Sequence, residues 1–177
     1  DTVGNFWLFG GAGIDGTGNA GLLNDLWKYD ISINEWTWIN GSNIRNSLGS
    51  YGVKCIPSSS NSPPARQETR ASWVDNYGNF WMFGGQYSTN VYNDLWHYSI
   101  PTNEWTWVSG DNTLDQNSIF GTITVSSPGN KCGARCGAIG WKDNSDNLWL
   151  FGGVGPSTTF LNDLWKFVID TTCTLTT

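Results

Sequence analysis

Residues 92–108 read YNDLWHYSIPTNEWTWV, and residues 23–39 read LNDLWKYDISINEWTWI. A third, partial copy begins at residue 161 as LNDLWKFVID. The tryptophans of this motif, Trp27, Trp96 and Trp165, are therefore spaced by 69 residues. A period of this size indicates supersecondary units that stack and bury their apolar faces against one another.

A second marker supports the repeat. FWLFGG at 6–11, FWMFGG at 80–85 and LWLFGG at 148–153 follow one another at steps of 74 and 68 residues. The steps differ because the connection from Gly-Gly to Asn-Asp holds 12 residues in the first unit but 7 and 8 in the others. The repeat therefore runs through almost the whole chain.

The composition favours an all-β fold. The 177 residues include 12 Trp and 22 Gly but only one His and one Met, which suits short strands joined by tight turns. In the middle unit the pattern predicts a four-stranded antiparallel meander with strands at 69–75, 79–85, 94–100 and 104–110.

The second and fourth strands of this meander have different patterns. Phe80 to Phe83 are apolar at consecutive positions, which is typical of a strand buried on both faces. The fourth strand alternates, with Trp105 and Trp107 on one face and Thr106 on the other. Sheets buried on both faces need neighbours on both sides, and radially arranged blades provide them.

These motifs resemble the kelch repeat. The resemblance rests on the double glycine after an aromatic strand, the Asn-Asp-Leu-Trp segment, the Trp of Asn-Glu-Trp-Thr-Trp, and the arginine of PPAR (63–66) and GAR (133–135). The unit length is similar to that of extracellular kelch and galactose-oxidase-like propellers. The resemblance implies β-propeller blades, and it implies little about function because propellers carry many unrelated activities.

The repeat count gives about two and a half blades in a single propeller segment. We expect a first blade at 1–62 that lacks its first strand, a second at 63–131, and a third at 132–177 in which TTCTLTT replaces the fourth strand. Propellers typically close with about 4–8 blades. The chain is therefore expected to be a segment of a larger propeller; the alternatives are several copies that complete a ring or filament, and a stable open arc.

Charge and hydropathy exclude two classes of partner. The formal net charge is −6, and the 9 Lys and Arg residues are scattered, so no basic stripe is available for nucleic acid. No apolar run approaches the roughly 20 residues that a membrane helix needs. We expect neither a nucleic-acid partner nor a membrane span.

The cysteines fall at positions that do not repeat: Cys55, Cys132, Cys136 and Cys173. They allow three pairings, and a bridge from Cys55 to Cys132 or Cys136 is geometrically plausible between the long inter-blade connections. The alternative is a zinc site that includes Cys132 and Cys136. Together with the glycosylation sequon at Asn40, the disulfide interpretation predicts a secreted, extracellular or cell-surface protein.

Catalytic motifs are absent from the sequence. The copper site of galactose-oxidase-like enzymes needs two His, two Tyr and a Cys, whereas this chain has only His97, in a position held by Lys28 and Lys166 in the other units. We interpret His97 as a strand surface residue. The expectation is a non-catalytic chain with no cofactor and no resident metal.

Repeated aspartates have structural interpretations. Three follow Asn in the repeat and are predicted to cap loops through hydrogen bonds to backbone: Asp25, Asp94 and Asp163. Three others begin the first hairpin turn of each unit: Asp1, Asp75 and Asp143. In the third unit Asp146 replaces the turn glycine, which leaves a calcium site at Asp143 and Asp146 as an alternative.

Function is expected where the copies differ, on the face that carries the inter-blade links and the connections between strands two and three. Exposed aromatic rings beside acids there would suit a sugar or a protein partner. Repetition indicates instead that Tyr51 and Phe120 pack the links onto the blades, whereas Tyr87 and Tyr92 are freer. The candidates on this face are Asp15, Tyr51, Tyr87, Tyr92, Asp111, Asp115, Phe120 and Phe160.

Three functions follow. The first is an extracellular kelch-type scaffold that binds a protein or glycan through this loop face. The second is a structural subunit whose copies complete each other's blades by self-association, and the third is a segment of a galactose-oxidase-like enzyme with its active site outside this stretch.

Overall fold

The computed structural model describes residues 1–169, and residues 170–177 lie outside the described part. The predicted replacement of the third unit's fourth strand therefore lies outside it too. The fold is all-β, as predicted, and consists of small antiparallel sheets in chain order. The described residues form no closed barrel, and the arrangement is consistent with partial propeller blades.

Sheet 2 is the complete meander of the middle unit. Its strands are β4 (Ser72–Val74), β5 (Phe80–Phe83), β8 (Leu95–Ser99) and β9 (Glu104–Ser109), paired in that order. All four lie inside the predicted ranges.

The link that precedes sheet 2 covers the outer edge of β9. The backbone N–H of Ser58 donates to the Trp105 carbonyl at 3.3 Å, and that of Cys55 donates to the Trp107 carbonyl at 2.9 Å. Covering an edge strand in this way satisfies backbone groups that would otherwise be open to pairing.

Sheets 1 and 3 each have three described strands. Sheet 1 contains β1 (Phe6–Ile14), β2 (Ala20–Asp30) and β3 (Glu35–Asn40), and sheet 3 contains β10 (Ile139–Lys142), β11 (Leu148–Phe151) and β12 (Leu164–Phe167). β1 and β2 are long because the additional residues of the first unit extend their hairpin.

The connection between strands two and three, which is the long β1–β2 hairpin in the first unit, takes two other forms in the second and third units. The second unit folds it into the short hairpin of β6 (Gln86–Tyr87) and β7 (Asn90–Val91). The third unit has a single 3₁₀ turn, Pro156–Thr158. The connection between strands two and three therefore differs in each unit, whereas the sheets are alike.

Two apolar clusters join the sheets. One lies between sheets 1 and 2 and contains Leu26, Met82, Trp96, Tyr98 and Trp105. The other lies between sheets 2 and 3 and includes Trp73, Trp81, Leu95, Leu148 and Leu150. Sheet 2 is thus covered on both faces, as the apolar run of its second strand predicts.

Hydrogen bonds between indoles and carboxylates recur within each sheet. The turn aspartate accepts from the Trp Nε1 of the following strand at 2.9 Å in Asp1–Trp7, 3.0 Å in Asp75–Trp81 and 2.9 Å in Asp143–Trp149. These aspartates also accept backbone N–H bonds in the turn, as predicted. Three further indoles donate to the aspartate of the Asn-Asp motif, in Asp25–Trp27, Asp94–Trp96 and Asp163–Trp165. In total, six of the twelve indole N–H groups donate to a carboxylate of their own unit.

The double glycines mark points where backbones approach closely. Gly84 and Gly85 have φ of +65° and +109°, and a Cβ on Gly84 would lie 2.4 Å from the carbonyl oxygen of Arg135. The Gly85 N–H donates to that carbonyl at 2.9 Å. The motif therefore joins one unit to the link of the next, and only glycine fits both the backbone angle and the space.

A search of residues 1–169 for a helix long and apolar enough to cross a bilayer finds none.

Candidate functional site

Two of the three aspartates of the Asn-Asp motif, Asp94 and Asp163, form ion pairs with a buried arginine and do not cap loops through backbone hydrogen bonds as predicted. Both oxygens of Asp94 accept from the Arg66 guanidinium, at 2.6 and 2.7 Å, and both side chains are fully buried. Arg135 and Asp163 repeat the arrangement at 2.6 and 2.8 Å. Each arginine also bonds a carbonyl of the double-glycine segment, so the pair fixes the link to its sheet.

Asp25 occupies the equivalent position in sheet 1. Among residues 1–169, its one side-chain donor is Trp27 Nε1, at 2.7 Å. The carboxylate is half-buried. The motif therefore exists in three copies, of which two contain the arginine.

Two candidate binding tyrosines pack against other side chains of the protein, Tyr92 buried and Tyr51 half-buried. The Tyr51 hydroxyl donates to Asp94 at 2.8 Å, and its ring packs on Trp96 and Trp107. Tyr92 is 6% exposed and lies 4.1 Å from the Arg66 guanidinium carbon. Burial raises the pKa of Tyr51 above its usual range and that of Tyr92 to about 12. The burial of Tyr92 corrects the view of it as a free residue.

The other three candidate aromatic residues are more accessible. Tyr87 is half-buried in the β6–β7 hairpin, and Phe120 is 60% exposed on the second link (residues 110–138). Phe120 contacts Trp165 with ring centroids 5.4 Å apart, which is the equivalent of the Tyr51–Trp96 contact. Phe120 and Tyr51 thus both pack a link onto a sheet. Phe160, after the 3₁₀ turn, is 87% exposed.

The three candidate acids hold loops together. Asp15 accepts from Thr17, Asn19 and the Arg45 backbone N–H, and these hydrogen bonds, led by that of the Thr17 hydroxyl, lower its pKa well below the usual range. Asp115 accepts from Asn90 and from the Val91 N–H. Their carboxylates are therefore occupied by the protein's own donors.

Asp111 is held in a similar way. Lys131 Nζ lies 2.9 Å away and Asn93 Nδ2 donates at 2.8 Å. Burial alone would raise its pKa, but these two donors outweigh burial and lower the pKa.

The predicted bridge from Cys55 to Cys132 or Cys136 is not formed, because both of the latter are free thiols. Cys132 packs against the cluster between sheets 2 and 3, while Cys136 lies in a backbone bridge with Val154. Cys55 is itself disulfide-bonded. Cys173 lies outside the described residues.

No group of three or more His, Cys, Asp or Glu side chains suited to a metal occurs within residues 1–169. Asp146 pairs with Lys142 at 2.7 Å and accepts from the Asn76 backbone N–H. His97 packs on Trp81, with ring centroids 4.7 Å apart, and its Nε2 lies 3.7 Å from Asp75. The carboxylates considered for calcium therefore have partners in the protein.

A polar groove lies between the two legs of the first link (residues 41–71). Its volume is about 290 Å³, and its lining combines residues of both legs with Asn24 from β2. None of the described residues that line it is charged. The polar lining residues are Asn24, Asn40, Ser42, Ser47, Ser59, Ser60, Asn61 and Ser62.

In the second link an ion pair spans the equivalent positions. Asp111 and Lys131 stand 69 residues after Ser42 and Ser62, and they pair across the second link. Asn24 and Asn93 hold the same position in both units: Asn24 donates to Ser62 Oγ at 3.0 Å and Asn93 donates to Asp111 at 2.8 Å. The first link thus has two short serines where the second has a pair of longer charged side chains.

The groove is not among the sequence predictions, although the sequence contains a signal for it. Residues 58–62 read SSSNS, and the second link has SPGNK at the corresponding positions. The difference between copies indicated a site, but the facing leg of the link could be identified only from the fold.

The sequon residue Asn40 lines the same groove. Its Nδ2 donates to Asn103 Oδ1 at 2.9 Å, and its Oδ1 accepts from the Gly41 N–H. An N-linked glycan at Asn40 would be attached to the same Nδ2 atom that donates to Asn103, at the edge of the groove.

Comparison of the chain with protein-family models finds no match, and comparison with curated proteins finds none either.

Proposed function

We propose that this chain is part of an extracellular kelch-type propeller and acts as a non-catalytic binding scaffold through its links and the connections between strands two and three. The observation that carries the proposal is the open polar groove in the first link. It differs between otherwise similar units, and differences between repeats concentrate on binding faces.

The lining of the groove favours a neutral, hydroxyl-rich ligand such as a glycan. Serine hydroxyls and asparagine amides both donate and accept hydrogen bonds, which matches sugar hydroxyls, and no charge favours an ionic ligand. The volume is close to the lower end of the range of about 300–1,000 Å³ typical of ligand pockets. Since the lining has no aromatic ring, hydrogen bonds would supply the affinity.

An extracellular location is supported by the disulfide at Cys55 and the sequon at Asn40. A protein partner is the second candidate ligand, favoured by the exposed Phe120 and Phe160 on the same set of connections.

The test transplants the second link's ion pair into the first. The double variant Ser42→Asp with Ser62→Lys should close the groove with the pair already present at Asp111 and Lys131, and leave the fold intact. Neutral oligosaccharides are titrated by calorimetry into protein made in a host that does not glycosylate Asn40. We expect at least about a tenfold loss of affinity, as for losing one well-made hydrogen bond or more.

Tyr77→Ala is the matched control, because Tyr77 is exposed on the turn between β4 and β5, away from the links. The glycan proposal fails if wild-type protein binds no neutral oligosaccharide, or if the double variant binds as tightly as wild type. Loss of oligosaccharide binding in Phe120→Ala, with binding kept in the double variant, would place the sugar at the exposed Phe120 and not in the groove.

A further inference from the structure

Each sheet has two apolar faces with different roles. The forward face of a sheet packs on the next sheet in the chain, and the backward face packs on the preceding one. Trp7 and Phe9 on the forward face of sheet 1 contact the backward face of sheet 2: Trp7 lies 5.1 Å from Phe80, and Phe9 lies 5.3 Å from Trp105, between ring centroids.

The junction between sheets 2 and 3 repeats this pairing. Trp81, the equivalent of Trp7, lies 6.2 Å from Phe167, and Trp7 lies 6.1 Å from Tyr98, the equivalent of Phe167. The same forward positions therefore meet the same backward positions at both junctions. A junction of this kind is heterologous, because its two surfaces differ.

The described residues leave two outer walls uncovered, one of which is a backward face and the other a forward face. Sheet 1 exposes its backward face, where Phe6, Leu8 and Trp36 are 64%, 53% and 52% exposed. Sheet 3 exposes its forward face, where Ile139, Phe151 and Leu164 are 66%, 44% and 53% exposed. Several large apolar side chains exposed together on one face of a protein mark an interaction site.

The outer walls closely copy the faces that meet inside the protein. On the backward side Phe6, Tyr29 and Trp36 correspond to Phe80, Tyr98 and Trp105 of sheet 2. On the forward side Trp149 and Phe151 correspond to Trp7 and Phe9 of sheet 1. The chain therefore carries both halves of a junction that it already forms twice.

We propose that the forward wall of sheet 3 binds the backward wall of sheet 1 in a second copy of this chain. Phe151 of one copy packs on Trp36 of the other, as Phe9 packs on Trp105. Trp149 packs on Phe6 and Tyr29, as Trp7 packs on Phe80 and Tyr98. The rotation between sheets continues unchanged across the new junction, because its contacts are the same.

Two copies close the assembly. Each contributes the three sheets described within residues 1–169, so a pair makes a ring of six, within the range of about 4–8 blades in which propellers close, whereas three copies would exceed it. The expected particle is a two-fold ring with two identical junctions, and its mass is twice the 19.5 kDa of one chain, about 39 kDa.

Sedimentation velocity and native mass spectrometry over nanomolar to micromolar concentrations test this proposal. Wild-type chain should shift from the monomer mass to about twice that value. Trp36→Asp and Phe151→Lys each place a charge in both junctions, and each should raise the dissociation constant on the order of 100-fold, as for loss of a central aromatic contact. Tyr77→Asp, an equally drastic change away from both walls, should leave the dimer intact.

Mixing the two wall variants gives the decisive result. In a mixed pair one junction is wild type, and the other brings the introduced aspartate and lysine together, so the dimer should form again with one copy of each variant. Recovery on mixing also shows that both variants are folded.

A wild-type chain that stays monomeric at every concentration overturns the proposal. Further sheets of a longer polypeptide would then be what covers the two walls. A dimer that neither wall substitution weakens overturns it, as does an open series of larger species.

Discussion

Replacing Asp94 by asparagine should be among the most destabilising single-atom changes in this protein. The Arg66 guanidinium is buried, and Asp94 is its one carboxylate partner among residues 1–169. In either orientation of the new amide, its NH₂ group would face a guanidinium N–H at the former carboxylate distance of 2.6 or 2.7 Å. One strong hydrogen bond is lost and the arginine charge has no counter-charge.

The magnitude follows from the burial of the pair. Removing one partner of a buried ion pair costs about 3–5 kcal/mol, because the remaining charge stays out of water. Asp25→Asn is the matched control, since Asp25 has the same place in the motif but no arginine. Its amide oxygen still accepts from Trp27, so the expected cost is below about 1 kcal/mol.

The assay is urea unfolding at pH 7, followed by tryptophan fluorescence for wild type and both variants. A third variant, Asp163→Asn, should fall between the two because the Asp163 side chain is 14% exposed. The reasoning is refuted if Asp94→Asn and Asp25→Asn destabilise the protein equally, or if Asp163→Asn costs more than Asp94→Asn.

Three further predictions concern titration, thiols and backbone. Burial lowers the pKa of His97 below 6.5 despite the nearby Asp75, so folding favours the neutral ring. The free energy of unfolding of wild type should therefore fall as the pH falls from 7 to 5. His97→Gln should show a flatter pH profile when the midpoints of urea unfolding are compared. Burial raises the pKa of Cys132 to about 12, so a maleimide should label Cys136 well before Cys132 in native protein, as read by peptide mass; equal rates would contradict the packing of Cys132. Gly84→Ala should destabilise by more than about 1 kcal/mol, the cost of strained backbone for a residue with a side chain, and an unchanged thermal midpoint would contradict the close approach to Arg135.

Local patterns predicted the sheets well. The strands of sheet 2 lie inside their predicted ranges because Phe80 to Phe83 and the Trp105–Trp107 alternation are signals that neighbouring residues carry. The turn roles of Asp75 and Asp143 were also predictable, since a carboxylate bonds backbone N–H groups only a few residues away.

Long-range partners were not predictable in the same way. Arg66 and Asp94 are 28 residues apart, and neither position alone shows that the two meet, so the local pattern predicts a loop cap at Asp94. The sequence likewise presents Tyr92 as a freer residue of the binding face, because nothing in its neighbourhood indicates that Arg66 covers it. The groove depends on side-chain size across two legs of a link, which a linear pattern does not contain.

The hydrogen bonds from indoles to carboxylates have a consequence for how such a chain arises. The indole N–H groups of Trp81 and Trp96 donate to Asp75 and Asp94 within their own unit. These two N–H groups therefore need no hydrogen-bond acceptor from a neighbouring sheet, which has only to provide an apolar surface. A gene segment that encodes one sheet can then be duplicated in tandem without new polar partners for these tryptophans. Such a duplication would account for the same hydrogen bonds in sheet 3, from Trp149 to Asp143 and from Trp165 to Asp163.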